Sequence, residues 1–210
     1  MLKVKEIFGT TIEGEGLFTG TKAIFIRLSG CNIWNGKAET KAKSACPYCD
    51  TDFVGGKELT ESQILDKVFD LDKDKNTPLI NLTGGEPLLQ DIDKLCGMLI
   101  SCGYKVNIET NGTKPLSSNL KDLKSKGLFV TCSPKVKNIK LDKSDIDCLK
   151  VLYPHNSVKP EDFKDVAGVK YLQPIELNGV MDYETCIRKL YSMSSDWKLS
   201  VQLHKIIGVE

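Results

Sequence analysis

The sequence predicts an α/β fold whose sheet is mostly parallel. Short β-rich runs alternate with helical segments along the chain, and repeated strand–helix–strand units favour parallel crossovers. A length of 210 residues suffices for one sizeable core but hardly for two, so we predict a single domain over residues 1–210. About six strands are compatible with an open doubly wound sheet or with a partial barrel, and periodicity alone does not separate the two.

The first half of the chain contains two strand–helix pairs. Residues 23–28 are apolar and predict a strand, and residues 60–71 predict a helix that begins with a capping box of Thr60 and Gln63. A second strand and a second helix are predicted over residues 79–83 and 91–102, the helix from its apolar side chains at helical spacing and from the glycine that follows it.

The second half repeats the alternation with shorter elements. These are strands over residues 105–109, 128–132, 146–152, 169–173 and 199–203, and helices over residues 118–125 and 183–191. Two Lys-rich polar segments, residues 32–45 and 134–143, do not fit the alternation, and we predict that they are solvated loops.

The bulk composition is typical of an ordinary globular protein. A net charge of +1 gives no support for binding to nucleic acid or to a membrane surface. No apolar run approaches the length of a membrane span, and the first residues lack the features of a signal peptide, so we expect a cytoplasmic location. Cytosolic thiols stay reduced, and five of the eight cysteines lie singly in apolar stretches, where we predict small core residues. These five are Cys96, Cys102, Cys132, Cys148 and Cys186.

The other three cysteines predict an iron–sulfur site. Cys31 follows the first predicted strand, and Cys46 and Cys49 follow it after a fourteen-residue gap. Three thiolates bind three irons of a 4Fe–4S cluster and leave the fourth iron open to a small molecule. Closing the long gap costs only about 1.4 kcal/mol more than the usual three-residue gap. A structural zinc site would need a fourth ligand, and His155 and His204 are distant unless the fold brings one close.

A glycine-rich turn after the next strand strengthens this prediction. Thr83-Gly84-Gly85-Glu86-Pro87 places two glycines where backbone can approach a ligand and leave N–H groups free for it, and Glu86 can accept a hydrogen bond from an ammonium group. Alone the turn would be ordinary. Together with the cysteine loop it resembles the radical S-adenosylmethionine (SAM) superfamily, in which this motif binds the methionyl amine of SAM.

Further motifs resemble one family within that superfamily, the 7-carboxy-7-deazaguanine synthases. They are Thr11-Ile12-Glu13-Gly14-Glu15-Gly16, Arg27-Leu28-Ser29-Gly30-Cys31-Asn32, Cys49-Asp50-Thr51-Asp52-Phe53, Glu109-Thr110-Asn111-Gly112-Thr113, Ser133-Pro134-Lys135, Gln173-Pro174-Ile175 and Gln202-Leu203-His204-Lys205-Ile206-Ile207-Gly208. The resemblance covers nearly the whole chain, and the long cysteine spacing occurs in a subset of the family.

The resemblance implies a fold, a reaction and partners. The fold is a partial (β/α) barrel of the radical SAM type with a mostly parallel sheet. The reaction is a radical ring contraction of 6-carboxy-5,6,7,8-tetrahydropterin to 7-carboxy-7-deazaguanine, with loss of ammonia, abstraction of the C6 hydrogen and regeneration of SAM. The product serves 7-deazapurine and queuosine synthesis. The implied cofactors are a 4Fe–4S cluster, SAM and Mg²⁺, and the implied partners are an electron donor such as flavodoxin and a second copy of the chain.

The same resemblance assigns roles to particular residues. The cluster ligands would be Cys31, Cys46 and Cys49, and the Mg²⁺ ligand would be Thr51. SAM would be bound by Tyr48, Cys49, Asp50, Gly84, Gly85, Glu86, Ser133, Pro134, Lys135, Gln173, Pro174, Ile175 and Glu176. The pterin would be bound by Ile12, Glu13, Gly14, Arg27, Thr83 and the terminal Glu210. A guanidinium such as that of Arg27 suits a substrate carboxylate.

Two other functions remain alternatives. A radical SAM activase that installs a glycyl radical on a partner protein has a similar length, but it usually has the compact cysteine spacing. A non-catalytic iron–sulfur or zinc module would want four ligands, whereas this chain offers three and the glycine-rich turn.

Overall fold

The structure is a computed structural model that describes residues 1–177 and 179–209. In that part of the chain there are eleven strands: β1 (Leu2–Ile12), β2 (Lys22–Leu28), β3 (Lys57–Leu59), β4 (Leu79–Gly84), β5 (Lys105–Thr110), β6 (Leu128–Cys132), β7 (Cys148–Tyr153), β8 (Val169–Pro174), β9 (Glu176–Leu177), β10 (Val180–Met181) and β11 (Trp197–Leu199). The helices are α1 (Ala38–Lys41), α2 (Glu61–Leu71), α3 (Asp93–Ser101), α4 (Ser118–Lys124), α5 (Tyr183–Tyr191) and α6 (Leu203–Ile207).

Nine of the strands form one open sheet. Its order is β11-β8-β7-β6-β5-β4-β2-β1-β3, and β9 and β10 form a separate two-stranded ribbon. All neighbours from β2 to β11 are parallel, whereas β1 and β3 add two antiparallel strands at one edge. The prediction of a partial barrel with a mostly parallel sheet is therefore confirmed.

The two faces of the sheet differ in chemistry because side chains alternate along each strand. One face is apolar and packs under the helices, and its fully buried residues include Ile24, Ile26, Ile80, Leu82, Val106, Ile108, Val130 and Val151. The opposite face carries buried polar side chains, among them Asn81, Asn107, Thr131, Lys150 and Gln173. A polar concave face of this kind is suited to a binding site rather than to packing.

Local signals in the sequence predicted most of the helices and strands. The capping box is present, since the Thr60 hydroxyl accepts from the Gln63 amide at 3.2 Å and the Gln63 side chain accepts from the Thr60 amide at 2.9 Å. Each predicted helix and each predicted strand before residue 190 corresponds to an observed one within a few residues. Within the described residues, no helix combines the length and apolar character that crossing a membrane would require.

The strand predicted over residues 199–203 was wrong in its second half. β11 ends at Leu199, and α6 begins at Leu203. The Ser200 amide still donates to the Leu172 carbonyl of β8 at 2.9 Å, but the Leu203 amide donates to the Gly14 carbonyl at 2.9 Å. The chain therefore leaves the sheet edge and crosses the end of the barrel.

Two smaller predictions also need correction. Cys102 is exposed, because it follows the last turn of α3 and no longer faces the core, whereas the other four isolated cysteines are buried. The segment of residues 32–45, predicted as a loop, contains the short helix α1. Trp34 holds this helix in place by donating to the Lys37 carbonyl at 3.1 Å while its ring packs edge-on against Phe53.

Candidate active site

A cavity of about 690 Å³ opens on the polar face of the sheet. Its walls include residues from the carboxyl-terminal halves of β2, β4, β5, β7 and β8. Parallel α/β folds place their ligand sites at this end of the strands. The volume lies within the range of about 300–1,000 Å³ that is usual for small-molecule sites.

The three predicted cluster ligands line one wall of this cavity. All three thiols are free. The neighbouring Cys46 thiol stabilises the Cys49 thiolate and lowers the pKa of Cys49 to about 6. A thiolate is the form that binds metal, so the loop favours ligation at this position.

The donor set is one that a 4Fe–4S cluster takes. Three free thiols line the cavity. The thiols that bind such a cluster each meet a different iron.

The glycine-rich turn packs directly against the turn that carries Cys31. A Cβ on Gly85 would lie 2.0 Å from the Gly30 carbonyl oxygen, so only glycine fits there. The Gly85 and Glu86 amides donate to the carbonyls of Leu28 and Gly30 at 3.2 and 2.8 Å. The N–H group of Gly85, which was expected to stay free for a ligand, is therefore used by the segment that leads to Cys31.

Glu86 lies beneath the cavity rather than on its wall. It is fully buried and accepts hydrogen bonds from the Thr110 hydroxyl and the Asn111 amide, both at 2.7 Å, and from the Leu88 amide at 3.0 Å. Burial raises the pKa of Glu86. Glu86 therefore ties the glycine-rich turn to the end of β5. Among the residues expected to bind SAM, Glu86 and Pro134 are the two that do not line the cavity.

The remaining residues expected to bind SAM surround the cysteine wall. The Lys135 ammonium donates to the Ser133 carbonyl at 3.0 Å, and burial lowers the pKa of Lys135. Lys205 of α6 forms ion pairs with Asp50 at 2.9 Å and with Glu176 at 3.2 Å. This lysine joins the cysteine loop to the segment after β8, so both segments are held at one side of the cavity.

The residues expected to bind substrate belong to the same cavity. Its lining includes Ile12, Gly14, Arg27 and Thr83, and also the predicted magnesium ligand Thr51. The Arg27 Nε atom donates to Glu6 at 2.6 Å, which fixes one edge of the guanidinium. The expected terminal contact, Glu210, lies outside the described residues.

The cavity floor holds three carboxylates around one ammonium group. Lys150 is hydrogen-bonded to Glu15 and lies 3.8 Å from Glu109. Burial opposes the charge on Glu15, but the adjacent Lys150 lowers the pKa of Glu15 to about 2. Burial and the Glu109 charge raise the pKa of Glu13 to about 8. Of these four residues, sequence reasoning assigned a role to Glu13 alone.

A row of buried amide and hydroxyl groups holds Glu13. The Thr131 hydroxyl donates to Asn107 at 2.9 Å, Asn107 donates to Asn81 at 2.8 Å, and Asn81 donates to the Glu13 carboxyl. The Glu15 amide donates to the other Glu13 oxygen at 2.8 Å. Connected hydrogen bonds strengthen one another in a buried setting, so the row fixes the Glu13 carboxyl in the cavity.

The segment that precedes and includes α6 closes the cavity beside Glu15. The Gln202 side chain donates to Glu15 at 2.6 Å, and a Cβ on Gly14 would lie 2.0 Å from His204 Nδ1. Gln202, His204 and Lys205 all line the cavity. The sequence motif around His204 signalled a family resemblance but did not indicate this contact.

The chain matches a sequence model of the Radical SAM superfamily over residues 42–159. That range includes Cys46, Cys49 and the glycine-rich turn, whereas Cys31 precedes it.

Full-length relatives share one name. The 7-carboxy-7-deazaguanine synthase of Caulobacter vibrioides is 35% identical over 215 residues, which cover 98% of this chain and 98% of that protein. The protein of the same name from Bacteroides thetaiotaomicron is 35% identical over 211 residues, which cover 100% of this chain and 99% of that protein. The crystal structure of QueE from Escherichia coli aligns with a TM-score of 0.67 at 25% identity and covers 97% of this chain and 94% of that one.

Proposed function

This chain belongs to the 7-carboxy-7-deazaguanine synthase family of the radical SAM superfamily, and on that basis we propose a substrate and a role for each part of the cavity. The protein is a radical SAM ring-contracting enzyme of 7-deazapurine biosynthesis that holds a 4Fe–4S cluster and uses SAM. The proposed substrate is 6-carboxy-5,6,7,8-tetrahydropterin, and the proposed products are 7-carboxy-7-deazaguanine and ammonia.

One observation carries the residue assignments. A single cavity is lined by the three free cysteines, by the glycines of the glycine-rich turn, and by Arg27 and the glutamates of the floor. A radical reaction needs its cofactor and its substrate side by side and shielded from water. A cavity that brings thiols and polar side chains together meets that need.

In this proposal Cys31, Cys46 and Cys49 would hold the cluster, and three thiolates would leave one of its irons without a protein ligand. When bound, the cluster and SAM supply the electron and the 5′-deoxyadenosyl radical that removes hydrogen from the substrate. Lys135 is oriented by Ser133 and brings a positive charge to the thiols. The other proposed SAM contacts that line the cavity are Tyr48, Asp50, Gly84, Gly85, Gln173, Pro174, Ile175 and Glu176. Glu86 and Pro134, which were also expected to contact SAM, lie behind the lining, and Glu86 supports the glycine-rich turn from there.

Arg27 is proposed to bind the substrate carboxylate. Glu6 fixes the Nε edge of its guanidinium, and the Cζ atom of Arg27 lies over the Phe8 ring at 5.6 Å from the ring centroid, so Glu6 and Phe8 together support the guanidinium. A guanidinium so held offers its remaining donors to a carboxylate. Ile12, Glu13, Gly14, Thr83 and the terminal Glu210 complete the proposed pterin contacts.

Magnesium is proposed to bind at Thr51, two residues after the last cysteine, in the same cavity wall. Mg²⁺ keeps several waters and takes few protein ligands, so a single hydroxyl together with substrate oxygens is sufficient. The proposed setting is cytoplasmic, with the chain as a homodimer and with a flavodoxin-like electron donor.

An anaerobic assay tests the proposed reaction. The reconstituted enzyme, SAM, Mg²⁺ and a low-potential reductant are incubated with the carboxytetrahydropterin, and the product is identified by mass and ultraviolet spectrum. Formation of 7-carboxy-7-deazaguanine with an equal amount of ammonia supports the proposal. Cleavage of SAM without consumption of the pterin would contradict it.

A further inference from the structure

The cavity floor contains a buried lysine to which no role in the reaction has been given. Lys150 lies on β7 and is 6% exposed. Its ammonium is bonded to Glu15 and is 3.8 Å from Glu109, and all three side chains line the cavity. A buried ammonium is retained only where carboxylates compensate for the loss of its hydration.

Carboxyl groups outnumber cations around Lys150. Three carboxyl groups, of Glu13, Glu15 and Glu109, influence this single ammonium, so the floor has more acceptor oxygens than the ammonium can use. A floor of this kind offers acceptor oxygens to a ligand rich in N–H donors. The amino-pyrimidinone edge of a pterin, which resembles a guanidine, is such a ligand.

We propose that Lys150 is a positioning residue that holds the carboxyl groups of Glu15 and Glu109 as hydrogen-bond acceptors for the N–H edge of the pterin ring, an inference that rests on the proposed function. Lys150 itself does not touch the reacting atoms. It fixes the direction of the Glu15 carboxylate by a hydrogen bond and lies 3.8 Å from Glu109, and Gln202 donates to the other Glu15 oxygen at 2.6 Å.

Other groups face Glu15 and must be considered in any pH experiment. They are the charged or titratable side chains of Glu13, Glu109, Lys135 and Lys150 and the amides of Gln173 and Gln202, with His204 packed against the adjacent Gly14. Lys150 is the one cation among them that is in direct contact with Glu15. Its removal should therefore affect Glu15 more than any other change.

The test replaces Lys150 with Met, which keeps the length of the side chain but not its charge. With its cation removed, buried Glu15 takes up a proton at a pH well above its usual range, so a new loss of kcat/KM should appear as the pH falls from neutral. We expect KM for the pterin to rise about tenfold to hundredfold at pH 7, because a buried charge has lost its partner. Cluster absorbance and substrate-free SAM cleavage should match those of the wild type.

Matched variants distinguish positioning from stability. Lys150→Arg keeps the charge and should restore most of the lost kcat/KM, and Lys170→Met removes a different buried lysine, paired with Asp196 at 2.6 Å outside the cavity, and should leave KM and the pH profile unchanged. If Lys150→Met does not fold, the double variant Lys150→Met/Glu15→Gln removes both charges of the pair and should fold, with a raised KM and no new acid limb.

The outcomes separate this inference from the proposed function. A wild-type enzyme that makes no deazapurine from the pterin refutes the proposed function itself. A wild-type enzyme that makes it, together with a folded Lys150→Met variant of unchanged KM and pH profile, refutes the role of Lys150. An unchanged KM in the double variant would refute it as well.

Discussion

Replacing Gly85 with alanine should damage the site through the Cys31 turn. The added Cβ would lie 2.0 Å from the Gly30 carbonyl oxygen and 2.9 Å from the Cys31 Cβ. Both partners are backbone or near-backbone atoms, so neither can rotate away. The two turns must separate, and the hydrogen bonds from Gly85 to Leu28 and from Glu86 to Gly30 lengthen or break.

The size of the effect follows from these contacts. Two hydrogen bonds contribute roughly 0.5–1.5 kcal/mol each, and forced overpacking costs roughly 1–3 kcal/mol, which gives a loss of about 2–6 kcal/mol in the free energy of unfolding. Total stabilities of single domains are roughly 5–15 kcal/mol, so the variant should remain largely folded in most of this range. Cys31 should nevertheless move away from Cys46 and Cys49.

Urea denaturation of the apoprotein and iron content after anaerobic reconstitution measure the two effects. Gly97→Ala in α3 is the matched control, because nothing lies within 4 Å of a Cβ there. Alanine is favoured over glycine in a helix by about 1 kcal/mol, so the control should be slightly more stable and keep its cluster. A Gly85→Ala protein with wild-type stability and full iron content would refute the reasoning.

Four further predictions concern the cavity. Cys46→Ala should abolish the cluster absorbance and Cys102→Ala should not, and a retained cluster in Cys46→Ala would refute ligation across the long gap. Chelation should remove turnover and Mg²⁺ titration should restore it, and a rate indifferent to Mg²⁺ would remove the role given to Thr51. Glu210→Gln should raise the pterin KM but leave cluster content and uncoupled SAM cleavage intact, whereas kcat/KM equal to that of the wild type would contradict a contact at Glu210. Burial raises the pKa of Glu13 from 4.5 to about 8, so between these pH values the folded protein keeps a proton on Glu13 that the unfolded chain has lost. The free energy of unfolding should therefore fall as the pH rises through this range. Glu13→Gln should remove that slope in urea titrations, and an unchanged slope would show that another group causes it.

The sheet was predictable because its signals are local. The strands β4 and β6 are buried at nearly every position, so each appears in the sequence as a short run rich in apolar residues. The capping box at Thr60 marks the start of α2. β1 was missed, since its charged residues and its irregular pairing with β2 obscure the alternation. Its antiparallel position at the sheet edge depends on contacts distant in sequence.

The site was predictable only where residues cluster along the chain. The cysteine loop and the glycine-rich turn are contiguous motifs, so they could be found. Lys150 lies in β7 and Glu109 in β5, far apart in the sequence. Lys150 contacts Glu109 and Glu15 only because β5, β7 and the loop after β1 come together in the fold. A charged residue in the middle of a buried strand was the signal that could have identified Lys150.

The C-terminal segment shows why apolar patterning can mislead. The residues after Leu199 resemble a strand in their apolar pattern. The pairing of β11 with β8 nevertheless stops at Leu172, whose carbonyl accepts from the Ser200 amide. Beyond that point the acceptors are the Gly14 carbonyl and the Glu15 carboxylate, which draw the chain across the cavity. This competition between partners is a tertiary effect and has no counterpart in local sequence.

The most direct measurement of the central claim follows one hydrogen atom. Carboxytetrahydropterin deuterated at C6 is incubated anaerobically with the reconstituted enzyme, unlabelled SAM and reductant, and both product and SAM are analysed by mass spectrometry. Radical abstraction in this cavity, with SAM regenerated, predicts that deuterium appears in the recovered SAM while 7-carboxy-7-deazaguanine accumulates. Product formation without any deuterium in SAM or in 5′-deoxyadenosine would contradict the account.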